Sequence, residues 1–103
     1  MRYKYHVLIT PRGAMPVRDR ERLERRICGE HTIVRLLSGG KRLYCEPGGG
    51  EFNYIATCLA GERGVSVRGY ALLCVYDEER KSKVGMEKPV AQALCDGINL
   101  MNQ

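Results

Sequence analysis

The sequence predicts an α+β domain: a small antiparallel sheet sandwich of the ferredoxin-like βαββαβ order, with an additional C-terminal helix. Three observations carry that expectation. Residues 2–10 alternate between polar and apolar, two β-rich runs flank a glycine turn at 38–41, and apolar residues recur at helical spacing in 16–28, 51–60 and 88–101. The 103 residues suit one domain with one core, so 1–103 is expected to form a single compact unit.

In chain order, residues 2–10 place Tyr3, Tyr5, Val7 and Ile9 on one side, and Lys4, His6, Leu8 and Thr10 on the other. That period of two, with tyrosines and β-branched residues, predicts a strand. "PRGAMP" is expected to end it. Residues 16–28, "PVRDRERLERRIC", predict a helix: Pro16 fits the first turn, Val17, Leu23, Ile27 and Cys28 share a face, and Gly29 follows as a stop. "HTIVRLLSGGKRLYCE" predicts a hairpin, because Gly39 and Gly40 supply the positive φ that tight turns need.

Residues 51–60 predict a second helix from Phe52, Ile55, Ala56 and Leu59, with Glu51 at the positive end of its dipole and Gly61 after it. Val65–Tyr76 predicts a strand with a bulge or turn at Gly69, and "DEERKSKVG" an exposed charged loop. In the last helix, 88–101, Val90, Ala93, Leu94, Gly97, Ile98, Leu100 and Met101 share a side. Gln92, Asp96 and Asn99 share the other.

Composition narrows the function classes. Hydrophobic residues make up 44% and charged residues 28%, as in an ordinary globular domain. No apolar run approaches the roughly 20 residues that span a bilayer, so no membrane association is expected. "MRYKYHVLIT" alternates instead of running apolar towards a small-residue cleavage site, which predicts a cytoplasmic protein. The five cysteines are odd in number, lack a CxxC, and sit in or beside apolar segments; buried reduced thiols are the expectation. The net charge of +5 favours acidic partners, either nucleic acid or an acidic protein face.

"EPGGGE", Glu46 to Glu51, resembles a phosphate cradle only in its glycines. It lacks the Lys-Ser/Thr that follows them in a P-loop, and the flanking glutamates would repel a phosphate. An adaptable corner is expected, with Gly48, Gly49, Gly50 and Glu51 available to a partner surface. Cys28-x2-His31 has zinc-like spacing, but no second tight pair completes four ligands, so no metal is assigned. His6 could meet a cysteine in space, yet no local signature supports a nucleophile, and no catalytic residue or cofactor is assigned.

Of twelve arginines, Arg18, Arg22, Arg25 and Arg26 cluster on the polar side of the first predicted helix. Such a face suits phosphate-backbone contacts, although Asp19 and Glu21 offer intrahelical pairs. Tyr3, Tyr5 and Tyr44 would stack bases if exposed on a ferredoxin-like sheet; packing beneath the C-terminal helix is the expectation. The reading that follows is a non-enzymatic module that docks on a protein partner, of inhibitor or adaptor type. The alternative is a nucleic-acid-binding domain using the arginine face; a lesser one is an enzyme with a site built from distant residues. A homodimer is compatible with any of these.

Overall fold

The computed structural model describes residues 5–18, 33–36, 40–45, 50–61 and 66–101. Its elements are β1 (Tyr5–Thr10), β2 (Gly13–Arg18), β3 (Ile33–Leu36), β4 (Lys41–Cys45), α1 (Tyr54–Ala60), β5 (Ala71–Asp77), β6 (Ser82–Lys83) and α2 (Lys88–Met101). The main sheet runs β2-β1-β5-β4-β3, with every neighbouring pair antiparallel, and β6 pairs with the end of β5.

This is an α+β fold, but its strand order is not the ferredoxin-like one. That order would make β1 and β4 the central neighbours; instead β5 lies between them. The reason lies in "ALLCVYD". Its first four residues are all buried, as a continuous apolar run requires when both faces of a strand are covered. A central position provides that cover, and β2 takes the free side of β1.

The predicted helix at 16–28 is corrected at its start. Gly13–Arg18 is an edge strand that follows β1 after a two-residue turn. The Thr10 hydroxyl organises this turn: it donates to the Gly13 carbonyl at 3.0 Å and accepts from the Arg12 and Gly13 amides. "PRGAMP" therefore reverses the chain instead of ending the sheet. Pro16, read as a helix opener, lies in an edge strand, where its missing N–H is equally tolerated. The rest of that predicted helix, 19–28, lies outside the described residues.

The hairpin of β3 and β4 forms as expected, from Ile33↔Cys45 to Leu36↔Arg42, with Gly40 at φ +71°. The second helix is shorter than predicted. Asn53 caps it, accepting from the Ala56 amide at 3.0 Å, and Gly61 closes it in the left-handed region at φ +68°. Glu51 thus precedes the cap and lies outside the first turn. The strand predicted from Val65 begins only at Ala71, because Gly69, at φ +76°, turns the chain before it. The charged stretch after β5 is exposed at 78–81 and returns as β6, with the Asp77 carboxylate accepting from the Glu79 and Arg80 amides.

Register sorts the core into two layers. Val7, Ile9, Leu43 and Leu73 face α1 and α2, which contribute Ile55, Ala56, Ala91, Cys95 and Ile98. Leu8, Tyr44, Leu72 and Cys74 form a second cluster on the opposite face. Both described helices therefore share one face of the sheet. The tyrosines divide: Tyr5 packs on the helix side, while Tyr44 is buried on the other face and not under the C-terminal helix. Tyr3 lies outside the described residues.

Candidate functional site

The residues singled out in the sequence do not converge. Arg18 is exposed at the end of β2, opposite Tyr5. Arg22, Arg25, Arg26, Gly48 and Gly49 lie outside the described residues, as do Cys28 and His31. Gly50 and Glu51 are described, and their geometry is internal to the chain. Gly50 has φ +123°, and a Cβ there would stand 3.2 Å from the Cα and N of Gly69. The Gly69 amide donates to the Glu51 carbonyl at 2.8 Å, and Phe52 bridges Arg68. The backbone that approaches this glycine corner thus belongs to the chain itself. The Glu51 side chain reaches Arg12 at 3.6 Å, but both are exposed, so the pair contributes little.

Asn53 anchors the same corner and carried no role in the sequence reading. It is fully buried. Besides capping α1, its side-chain amide donates to the carbonyls of Ile9 at 2.9 Å and Gly69 at 2.8 Å. One side chain thereby ties α1 to the end of β1 and to the chain entering β5. The detectable signal was an Asx residue three positions before the end of the first helical turn, the ordinary mark of an N-cap.

Extending the β1–β5 register past Val7↔Leu73 sets His6 against Cys74. Both are closed to solvent, so this juxtaposition offers a substrate no access. Among the described residues no group of three or more His, Cys, Asp or Glu is placed to hold a metal. Cys45, Cys74 and Cys95 are buried, whereas Cys58 is exposed, contrary to the expectation for all five. Burial and the neighbouring Asp96 charge push the Cys95 thiol up to about 11, which keeps it protonated and inert. No described helix is long and apolar enough to cross a membrane.

A surface feature emerges instead on α2. The side of this helix expected to face the core is largely not the side that does. Ala91, Cys95 and Ile98, spaced i, i+4, i+7, are its buried residues. Beside them Asn99 fixes the helix to the sheet edge: its Oδ1 accepts from the Ala14 amide at 2.7 Å, and its Nδ2 donates to the Ala14 carbonyl at 3.0 Å. A Cβ on Gly13 would come within 3.0 Å of that Oδ1, so the glycine makes room for the hook. Gln92 and Asp96 bond to each other on a narrow polar strip.

The remaining face is apolar and open. Val90 is 54% exposed, Leu100 69% and Met101 76%, with Ala93 and Gly97 exposed between them. Of the seven residues expected to face inward, only Ile98 is fully buried. A groove of about 640 Å³ runs beside this face, lined from α2 by Ala93, Leu94, Gly97, Ile98 and Met101. Leu59 of α1, Leu73 of β5 and Lys41 of β4 complete it. Among the described residues lining it Lys41 is the one that is charged, and no described carboxylate pairs with it. By contrast Arg42, next in the strand, is already engaged: its guanidinium lies 3.5 Å from the Tyr76 ring centroid and 3.2 Å from a Glu78 oxygen.

Such a groove can bury an aliphatic side chain and attract a carboxylate. No family model, curated protein or solved structure matches this chain.

Proposed function

We propose that this chain is a non-enzymatic module of inhibitor or adaptor type that docks on a protein partner through the outward face of α2. One observation carries the reading: a helix already anchored to its own sheet by Ala91, Cys95 and Ile98 presents a second apolar side, Val90 to Met101, that nothing in the described chain covers. An isolated exposed leucine is ordinary, but a continuous apolar stripe beside a groove is the usual mark of an interaction surface.

The test is affinity capture from nuclease-treated native lysate, comparing the wild type with Leu100→Glu and Met101→Glu. The docking reading expects a stoichiometric protein partner that survives nuclease and is lost with either charge. A partner retained by both variants would overturn it. The net charge of +5 supports a second reading, nucleic-acid binding. That reading predicts binding that falls steeply with salt, is removed by Arg22→Glu with Arg25→Glu, and ignores Leu100→Glu.

A further inference from the structure

We infer that the groove takes an amphipathic helix with aliphatic anchors and a carboxylate, crossing α2 at Gly97 and placing the acid against Lys41; this rests on the docking reading above. Three observations carry it.

The first is Gly97 itself. It lies inside a helix, with no positive φ to require glycine, and a Cβ there would meet nothing within 4 Å. Glycine in a helix interior destabilises the helix relative to alanine, because it loses more backbone freedom on folding. No contact within the described chain offsets that cost. A close-crossing partner does, because Gly97 with Ala93 one turn earlier leaves a shallow saddle for another element.

The second is shape. The lining positions on α2, from Ala93 and Leu94 through Gly97 to Met101, recur every three or four residues, the spacing with which one helix receives another. Strand addition is not served here. The groove is bounded by helices and by strands already paired on both sides, and the β2 edge is closed at Ala14 by Asn99.

The third is charge. Lys41 sits at the groove without a described carboxylate partner, in a chain of net charge +5. A second copy would bring its own Lys41 and the same net charge, whereas an acidic helix supplies the complement.

The probes are two synthetic peptides of roughly 18 residues, long enough to hold helix in isolation. Both carry leucine at i, i+3, i+4 and i+7; one has glutamate and the other lysine at the remaining positions. Fluorescence anisotropy should show the acidic peptide binding at least about tenfold more tightly than the basic one. Lys41→Gln should erase that preference and Lys41→Glu invert it, with thermal melts confirming that both variants fold. Gly97→Ala should weaken binding several-fold while raising the melting temperature by roughly 2–6 °C.

Equal binding of both peptides, or an unchanged preference in the folded Lys41 variants, would overturn the assigned chemistry. If neither peptide binds while partner capture still depends on Leu100, the helix inference falls and the docking reading stands. Sedimentation showing a dimer that Leu100→Glu dissociates would make a second copy the occupant and overturn the inference likewise. Capture indifferent to Leu100, with no peptide binding, would remove both.

Discussion

The corner at residues 50–53 and the outward face of α2 each contain a glycine, and the two should respond to an added side chain in opposite ways. At Gly50 the reason is internal: φ is +123° and the Gly69 backbone stands where a Cβ would go. At Gly97 the helix is ordinary and the space is empty. A glycine required by its own fold should cost stability when replaced. A glycine whose space is open should raise stability when replaced, and any loss should appear in binding. Sites that hold a fold together and sites kept open for a partner thus differ in the sign of their response.

Asn53→Ala should break the corner most severely. It removes the cap of α1 and leaves the Ile9 and Gly69 carbonyls without their donor in a buried setting, a loss of about 3 kcal/mol by urea denaturation. A loss under about 0.5 kcal/mol would show that the corner does not organise the fold. Gly50→Ala should follow, at about 1–3 kcal/mol, from the strained φ and the 3.2 Å approach to Gly69.

The inward face of α2 should respond to alkali. The Cys95 thiol is raised from 9.0 to about 11, chiefly by burial. Below about pH 9 it is protonated in both folded and unfolded chains. Between 9 and 11 the unfolded thiol ionises while the native one does not, so the unfolded chain binds fewer protons and stability falls as pH rises. Relative to Cys95→Ala, the wild type should lose on the order of 1 kcal/mol across that window; parallel pH profiles would contradict the burial. The outward face should respond least. Gly97→Ala is expected to stabilise by about 0.5–1 kcal/mol, and Leu100→Glu to stay within about 0.5 kcal/mol. A large loss in either would mean that this face is packed in the free protein.

Local pattern was informative wherever a segment's neighbours could be inferred from the segment itself. The alternation of Tyr5 to Thr10 placed Val7 and Ile9 opposite Leu8, and the two core layers divide the same way. Gly39 and Gly40 marked the hairpin, and the periodicity of 88–101 set the C-terminal helix at those limits. Pro16 misled because a missing N–H suits both the first turn of a helix and an edge strand. Asn53 shows locally only as a cap: two of its three hydrogen bonds, to the Ile9 and Gly69 carbonyls, reach elements distant in sequence. The apolar side of α2 was recognised but its direction reversed: the wide stripe contains two sides, and the narrower one faces the sheet.

By itself, then, the sequence determined the hairpin, the two-sided first strand, the last helix and the mixed α+β class, because turn chemistry and hydrophobic period act over a few residues. Tertiary structure decided the position of β5 between β1 and β4, since a strand apolar on both sides is best covered at the centre of a sheet. It decided the internal use of Gly50, which depends on where Gly69 comes to rest. It also decided which side of α2 remained open: Asn99 bonds the edge at Ala14, turns Ala91, Cys95 and Ile98 inward, and leaves Val90, Gly97, Leu100 and Met101 facing outward.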